Sequence, residues 1–276
     1  MTNAPVWVEL NAASLESMRC CGISNPAHPG RLRKIGWLKQ HFKKGLRAKI
    51  LLAPDGRQCG YIEYLPGEYA WRGVDAAGYL FIHCIWTHFR KYQGLGLAKE
   101  VVEACVKEAR ENGMKGVAVV ARDGPWLAGP ELFLACGFEV AETAPPDYRL
   151  LVRKFNASAA NPKFVGGWDE KLKKYDGGLT IIHSAQCPYA EKFTAEIAET
   201  AEQEFGVKPR IVELKSHRDA QKAPTPYAVF SIIRDGRLLA DHQISRTRFR
   251  NLMREKSKSR QSRPRRLERT IRRSPR

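Results

Sequence analysis

The sequence lacks several features that would assign it to a membrane or to the outside of the cell. Its 276 residues contain no run of about 18 apolar residues, so we expect no membrane-spanning helix. The first 15 residues lack a basic segment followed by an apolar stretch, and we expect no secretory signal. The seven cysteines are odd in number and form no C-x-x-C pair, which does not fit a secreted disulfide framework. We therefore predict a cytoplasmic protein with no membrane contact and no metal site.

An even distribution of charge is also missing. Lys and Arg number 47 against 29 Asp and Glu, which gives a net charge of +18, and half of that excess lies in residues 254–276, where eleven basic residues face two acidic ones. This tail has no apolar face and no interleaved aromatic residues, so we predict that it is disordered until bound. Its contacts with nucleic acid or another anion would be non-specific and salt-sensitive. A solubilising extension and a nucleic-acid-associated protein dominated by its tail are both alternatives.

The periodicity of apolar residues predicts two α/β units. The segment 78–89 is apolar almost throughout and indicates a central strand covered on both faces. The other predicted strands of the first unit are Val6–Leu10, Ala48–Ala53, Gln58–Leu65, Lys115–Ala121, Glu139–Glu142 and Tyr148–Phe155, and its helices are 31–44, 97–112 and Glu131–Ala135. The second unit is predicted as the strands Leu179–Ala185, Arg210–Leu214, Tyr227–Ile233 and Arg237–Ile244, with helices at Tyr189–Phe205 and from Arg246. The predicted boundaries are 1–157, a linker at 158–176, a second domain at 177–253 and the tail at 254–276.

A glycine turn joins the long strand to the next helix. The turn passes through Gly94 and Gly96, whose missing Cβ atoms let the backbone approach a ligand closely. The helix that follows directs unpaired N–H groups and the positive end of its dipole toward one point. Such a helix N-terminus is suited to an anion such as a diphosphate. A tight connection without a ligand is the alternative for a single glycine pair.

The surrounding residues resemble the GNAT superfamily of acyltransferases. The family pattern R/Q-x-x-G-x-G/A is similar to Lys91–Gly96, with Lys in the first position, and the family segment L-Y-x-x-x-G-F is similar to Leu132–Phe138. The order of elements from Val6 to Phe155 also resembles this family. The resemblance implies a mixed, mostly antiparallel sheet with splayed central strands and an acetyl-CoA-dependent N-acetyltransferase acting on the amine of a small molecule or of an amino-acid-like acceptor.

The same resemblance implies where acetyl-CoA binds. Free backbone groups at the end of the long strand would pair with the pantetheine arm, and amides of residues 92–97 would hold the diphosphate. The implied contact residues are Cys84, Ile85, Trp86, Lys91, Tyr92, Gln93, Gly94, Leu95, Gly96, Leu97 and Ala98.

The general acid and the general base stay open at the level of sequence. The tyrosine that often serves as the acid in this family aligns with Phe133, which cannot donate a proton. Candidates for the base are His83, Glu63 and His88, besides deprotonation relayed by water, and we take His83 as the candidate catalytic residue. Strand alternation places His83 and Trp86 on opposite faces, so His83 is alternatively a buried, hydrogen-bonded histidine.

A second candidate site follows the strand Leu179–Ala185. Cys187 precedes Pro188 at a helix N-terminus, where the dipole lowers the pKa of a thiol, and we predict Cys187 as a second catalytic residue. The segment Cys187-Pro188-Tyr189 and the later Thr225-Pro226 resemble the active position and the cis-proline loop of the thioredoxin-like fold. Ala190 stands where the second cysteine would be, which excludes intramolecular dithiol chemistry and leaves monothiol exchange.

The pairing of the two units resembles acyltransferases with a YoaP-like C-terminal domain. The main alternative to the acyltransferase is a monothiol oxidoreductase that uses Cys187, with the first domain as an acyl-CoA sensor. In a further alternative the second unit serves in substrate capture or packing.

Overall fold

A computed structural model describes residues 4–19, 21–87, 94 and 96–261. The strands are β1 (Val6–Glu9), β2 (Arg47–Leu52), β3 (Gln58–Pro66), β4 (Val74–Asp75), β5 (Tyr79–Thr87), β6 (Gly116–Ala121), β7 (Glu139–Ala144), β8 (Tyr148–Lys154), β9 (Lys163–Phe164), β10 (Leu179–Ser184), β11 (Arg210–Leu214), β12 (Phe230–Arg234) and β13 (Arg237–Ala240). The α-helices are α1 (Pro29–Phe42), α2 (Leu97–Glu111), α3 (Pro130–Leu134), α4 (Trp168–Lys173), α5 (Tyr189–Phe205), α6 (His217–Gln221) and α7 (Arg246–Gln261). None of the helices in these ranges is long and apolar enough to cross a membrane.

The N-terminal unit is built on a seven-stranded sheet in the order β1-β2-β3-β5-β6-β8-β7. Its strand pairs are antiparallel except for the parallel pair β5–β6. The predicted mixed, mostly antiparallel sheet is therefore confirmed. Strand β5 is central and buried on both faces, as its nearly continuous apolar character predicts, because Ile82 packs toward α2 while Phe81 packs into the opposite apolar cluster.

Helix α2 covers one face of this sheet. Its buried residues Val101, Val102, Cys105 and Ala109 recur at helical spacing and pack against β5 and β6. The helix ends at Glu111, and Gly113 then adopts a left-handed conformation with φ of 66°. The sequence predicted this apolar stripe, and it predicted the end of the helix to within one residue.

The C-terminal unit has a four-stranded sheet in the order β11-β10-β12-β13. Strand β11 runs parallel to β10, whereas β12 is antiparallel to β10, and β13 is antiparallel to β12. Helix α5 buries Ile197 and Ala201, and helix α7 buries Phe249 and Met253, in the cluster that these helices share with the sheet. The element order is the predicted one.

The connection between the two sheets is more structured than the predicted linker at 158–176. It contains β9, which pairs with β4, and the whole of helix α4. The cause is Phe164, which is buried in a shared apolar cluster and whose amide donates to the Glu142 carboxylate at 2.6 Å. This segment is therefore part of the packed structure.

The predicted tail also begins later than expected. Helix α7 continues to Gln261, so residues 254–261 are helical where disorder was predicted from 254 onward. The sequence lacks an apolar face there, but the helix is already nucleated by the buried turn around Phe249 and propagates from it. Residues 262–276 lie outside the described residues, and their anion contacts stay a prediction.

Backbone contacts join the two units directly. The Gly73 amide donates to the Pro226 carbonyl at 3.1 Å, and the Val165 amide donates to the Gly73 carbonyl at 3.0 Å. At the other end of the interface, a Cβ atom on Gly30 of α1 would lie 1.9 Å from the Pro188 carbonyl oxygen. The units therefore approach each other more closely than side chains at these glycines would allow.

A buried aromatic layer lies between α1 and the loop that precedes β4. Trp37 and His41 stack with ring centroids 4.2 Å apart, and the Trp71 indole N–H donates to His41 Nε2 at 2.9 Å. His41 Nδ1 lies 2.7 Å from the Trp37 carbonyl oxygen. Burial is the main cause that lowers the pKa of His41 to about 4, so the imidazole is neutral in the folded protein at neutral pH.

Two glycines of α1 allow a test of the close interface. Gly30→Ala should destabilise the protein by about 1–3 kcal/mol, because the added methyl group overlaps the Pro188 carbonyl. Gly36→Ala in the same helix is the control, since no heavy atom lies within 4 Å of its added Cβ, and it should stabilise by about 0.5–1 kcal/mol. Urea denaturation of both variants measures the difference, and equal effects would contradict the described packing.

The neutral His41 predicts a loss of stability in acid. An unfolded histidine binds a proton below about pH 6.5, whereas folded His41 resists protonation down to pH about 4, so the free energy of unfolding should fall as the pH drops through this window. The slope is about 1.4 kcal/mol per pH unit for each such group, and burial lowers the pKa of His83 in the same direction. Urea denaturation at pH 4.5 to 7.5 should show this slope. In His41→Gln the slope should be smaller by about 1.4 kcal/mol per pH unit, which is the contribution of one bound proton. A slope that His41→Gln leaves unchanged would exclude His41 as a source.

Candidate active site

Strands β5 and β6 separate halfway along the sheet. Their parallel pairing runs from Tyr79 to Ile82 on β5, opposite Gly116 to Val119 on β6, whereas β5 itself continues to Thr87. A narrow cleft of about 20 Å³ follows, bordered by the loop segment 126–128. The end of β5 therefore has an edge that β6 does not cover, as the expected splayed strands require.

An irregularity in β5 changes where its side chains point. The register against β3 shifts between the pairs Glu63–Cys84 and Tyr64–Ile82, so His83 is an extra residue on β5. Regular alternation predicted opposite faces for His83 and Trp86, and this expectation is wrong because the bulge interrupts the two-residue period. His83, Cys84 and Trp86 all line one cavity.

The glycine turn lies at the start of α2, close to this cavity. Gly94 and Gly96 have φ angles of 80° and 75°, in the left-handed region, and a Cβ atom on either would meet no heavy atom of the described residues within 4 Å. Leu97 is the first residue of α2, and Ala98 lines the cavity. The candidate residues Lys91, Tyr92, Gln93 and Leu95 lie outside the described residues, as does His88.

The cavity, of about 500 Å³, lies between the two units. The N-terminal unit contributes the end of β5 and the loop at 126–129, and the C-terminal unit contributes the residues around Cys187 and Tyr227. The two candidate sites of the sequence, one at β5 and one at Cys187, therefore open into the same cavity. The two motifs lie about 100 residues apart in the sequence, and nothing in the sequence indicated that they share a cavity.

A buried ion pair lies on the inner side of the cavity. Lys34 Nζ is 2.5 Å from Glu63 Oε2 and donates to the Gln186 carbonyl at 2.6 Å, and both charged side chains are almost fully buried. Gln186 Nε2 donates to the other Glu63 oxygen at 2.5 Å, and the Tyr61 hydroxyl donates to Oε2. Glu63, a candidate base from the sequence, is thus fully engaged by donors from both units and is not available to a substrate.

A second buried cation faces the cavity without a carboxylate. Arg72 is 2% exposed and donates to the carbonyl groups of Trp71 and His83, each at 2.8 Å, and to Gln186 Oε1 at 3.4 Å. Its guanidinium lies over the Tyr227 ring, 5.0 Å from the ring centroid. None of these partners is charged.

His83 is buried and neutral. Its Nε2 atom accepts a hydrogen bond from the Trp71 amide at 2.8 Å, so the proton of the neutral ring belongs on Nδ1. Among the described residues Nδ1 has no hydrogen-bond partner. Burial, followed by the nearby charges of Arg72 and Lys34, lowers the pKa of His83 well below its usual range. This arrangement matches the buried, hydrogen-bonded alternative and makes His83 a donor through Nδ1, not a base.

Two thiols that line the cavity, those of Cys84 and Cys187, have raised pKa values and are protonated at neutral pH. A hydrogen bond with Cys21 and then burial raise the pKa of Cys84 well above its usual range. Burial raises the pKa of Cys187 to about 11 although the amides of Tyr189 and Ala190 act in the opposite direction. The predicted lowering of the Cys187 pKa by the helix N-terminus is therefore wrong, since desolvation outweighs the dipole.

The expected cis-proline is not found at Thr225–Pro226. Within the described ranges the cis peptide bond is Pro145–Pro146.

Phe133, which aligns with the tyrosine that often serves as the acid in the family, is fully buried against Phe138, with ring centroids 5.7 Å apart. No group of three or more His, Cys, Asp or Glu residues in the described part of the chain is placed to hold a metal ion.

The residues of the cavity that the sequence did not identify include Lys34, Arg72, Gln186 and Tyr227. Lys34 lies in a helix whose other lysine, Lys39, is exposed, and Arg72 lies in a loop with no motif. In Trp71-Arg72 a charged residue follows a tryptophan, and this pattern does not by itself indicate a functional site. Their roles depend on contacts between distant segments.

Comparisons with known proteins agree with the two-unit description. The acetyltransferase (GNAT) family matches residues 15–138, and the YoaP-like family matches residues 210–251. A protein of Bacillus subtilis (strain 168) named "Uncharacterized N-acetyltransferase YoaP" is 29% identical over 255 residues, which cover 90% of this chain and 98% of that protein. These matches confirm the resemblance to the GNAT family and the resemblance to acyltransferases with a YoaP-like C-terminal domain.

Solved structures are also similar to part of this chain. An acetyltransferase of the GNAT family from Staphylococcus aureus Mu50 is 11% identical, covers 55% of this chain and 100% of its own, and has a TM-score of 0.41. Ard1 from Thermoplasma volcanium is 16% identical, covers 55% of this chain and 97% of its own, and has a TM-score of 0.40. Residues 15–138 are thus similar to the acetyltransferase (GNAT) family, and residues 210–251 are similar to the YoaP-like family.

Proposed function

We propose that this protein is an N-acetyltransferase that transfers an acetyl group from acetyl-CoA to the amine of a small molecule. The observation that carries the proposal is the separation of β5 from β6, because the uncovered end of β5 lines the same cavity as Ala98 in the first turn of α2. The GNAT family match supports the same activity.

The residues at these two features fit the parts of acetyl-CoA. The first turn of α2 offers the amides at the start of a 15-residue helix and the positive end of its dipole, and no described residue fills the space beside Gly94 and Gly96, where a diphosphate would lie. Lys91, Tyr92, Gln93 and Leu95 complete this part of the proposal by sequence alone. The backbone of Cys84, Ile85 and Trp86 on the uncovered edge of β5 would hold the pantetheine arm.

The chemistry follows from positioning. Acetyl-CoA supplies an activated acyl group as a thioester. A backbone N–H near Ile85 or Trp86 would polarise the thioester carbonyl, and the cavity would hold the amine in line with it. Because this cavity is largely apolar, it favours the neutral, nucleophilic form of the amine over its ammonium form.

Proton transfer in this proposal does not use a dedicated base. Glu63 is engaged by Lys34, Tyr61 and Gln186, and His83 accepts from the Trp71 amide through the nitrogen that a base would need. The amine would enter in its neutral form and form the C–N bond with the acetyl carbon, and the C–S bond would then break to release CoA as the thiolate. The amine nitrogen would lose its extra proton to water, and the CoA thiolate would take up a proton from water. The Nδ1–H of His83 would then serve as a donor toward the cavity.

For the C-terminal unit we propose a thioredoxin-like fold that forms one wall of the acceptor site. Its order of elements, β10-α5-β11-α6-β12-β13-α7, supports this fold. Its contribution to the cavity is Gln186, Cys187, Pro188, Tyr189 and Tyr227. The monothiol alternative has no support in the site, because a thiol with a pKa of about 11 is a poor nucleophile at neutral pH.

The glycine turn provides a test of acetyl-CoA binding. Gly94→Trp should lower the affinity for CoA at least about tenfold, because the indole would fill the open space at the start of α2. Gly56→Trp is the matched control, since Gly56 also has a left-handed φ, 75°, and open space, but lies in the turn between β2 and β3. Titration calorimetry with CoA measures both variants.

Two outcomes would contradict the proposal. An absence of binding heat with CoA in the folded wild-type protein would exclude the activity. Equal affinities for Gly94→Trp and Gly56→Trp would exclude the glycine turn as the diphosphate site.

The protonated Cys187 predicts slow alkylation at neutral pH. Only about one thiol in ten thousand is ionised at pH 7 when the pKa is about 11, and the rate should rise about tenfold per pH unit across pH 7–10. Iodoacetamide labelling followed by mass spectrometry of the peptide that contains Cys187 measures this rate. A free thiol such as glutathione is the control and levels off near its own pKa. A rate for Cys187 that is fast and independent of pH above 7 would restore the monothiol alternative.

A further inference from the structure

Arg72 has hydrogen-bonding capacity that the protein does not use. A guanidinium has five N–H donors and stays charged at all ordinary pH values. Three of the five donors of Arg72 reach the Trp71 carbonyl, the His83 carbonyl and Gln186 Oε1, the last at a long 3.4 Å. The remaining two have no bonded acceptor among the residues described, and no carboxylate there forms an ion pair with Arg72.

The charged side chains of the described residues that line the cavity leave an excess of one positive charge. Lys34 and Arg72 are the charged side chains in the described lining, and both are cations. The charge of Lys34 is balanced by Glu63, but that of Arg72 is not balanced. His83 adds no charge, since burial keeps it neutral. A buried cation without a counterion is strongly unfavourable, so an anion that enters the cavity would gain from pairing with it.

We propose that the acceptor is an amine that also carries a carboxylate on an otherwise apolar skeleton, and that Arg72 binds the carboxylate. This inference rests on the acetyltransferase proposed above. A carboxylate matches the planar fork of a guanidinium in a bidentate pair, and its charge of −1 balances the single excess charge. A phosphate monoester would carry about −1.5 to −2 and would leave an uncompensated negative charge in the cavity.

The position of Arg72 fits an acceptor of this kind. Because Arg72 is bonded to the carbonyl of His83, a carboxylate on it would lie beside the segment Cys84–Trp86, where the thioester is proposed to bind. The amine of an amino acid lies one carbon from its carboxylate and would therefore face the same segment. Apolar and aromatic side chains form the rest of the wall, including Trp126, Leu127, Leu132 and Tyr189.

A matched set of acceptors tests the inference on the full-length protein. Phenylalanine, phenylalaninamide and phenethylamine share one skeleton and differ at the carboxylate, and leucine with its amide and isoamylamine forms a second set. Release of free CoA from acetyl-CoA gives kcat/KM for each compound. The wild-type protein should prefer the carboxylate member of a set by at least about 30-fold, as expected for a buried charge pair.

Variants at Arg72 should change this preference selectively. Arg72→Gln should abolish most of the preference for the carboxylate, and Arg72→Lys, which keeps the charge but not the fork, should retain part of it. Arg57→Gln in the turn between β2 and β3 is the control for the same substitution on the surface, where Arg57 pairs with Asp55. CoA titration and the unfolding midpoint show whether each variant is folded.

The outcomes separate the two proposals. Turnover of all three members of a set at similar rates by the wild type would overturn the role of Arg72 and leave the acetyltransferase in place. A preference for the carboxylate that persists in a folded Arg72→Gln would overturn it as well. If Arg72→Gln does not fold, the wild-type comparison and Arg72→Lys decide. Absence of CoA binding and of turnover with every amine would overturn the proposed function, and this inference with it.

Discussion

The ion pair between Lys34 and Glu63 is the interaction on which the shape of the cavity depends. It is almost fully buried, and such a pair is stable only if hydrogen bonds satisfy its remaining polar atoms. Those hydrogen bonds come partly from Gln186 in the C-terminal unit. Each unit on its own would therefore leave polar atoms of this network unsatisfied. The association of the units and the integrity of the site are consequences of the same contacts.

Burial also determines the chemistry that the cavity can support. Removal from water keeps His83 neutral and the thiols of Cys84 and Cys187 protonated, in spite of a helix N-terminus next to Cys187. In these protonation states none of the three side chains is a ready nucleophile or base. The cavity is suited to a reaction in which one substrate arrives activated and the other arrives as a neutral nucleophile. This agrees with a transferase that works by holding two small molecules together.

The sequence predicted local structure well and the site only in part. The periodicity of apolar residues and the positions of turn-forming residues predicted β5, α2, α5 and the glycine turn, because these signals depend on residues that are neighbours in the sequence. The bulge at His83 was missed, since nothing in an apolar strand marks an extra residue. Arg72 and Lys34 were missed because their significance depends on segments more than 100 residues away. The pKa of Cys187 was predicted in the wrong direction, because the dipole is visible in the sequence and the depth of burial is not.

The contacts between the units through Gly73, Val165 and Pro226 are made by the peptide backbone. Backbone groups are the same in every residue, so the relative position of the units depends little on which side chains surround these points. A chain with other side chains around these points could therefore keep its two halves in the same relative position. The residues facing the cavity could then change without moving the frame that carries them.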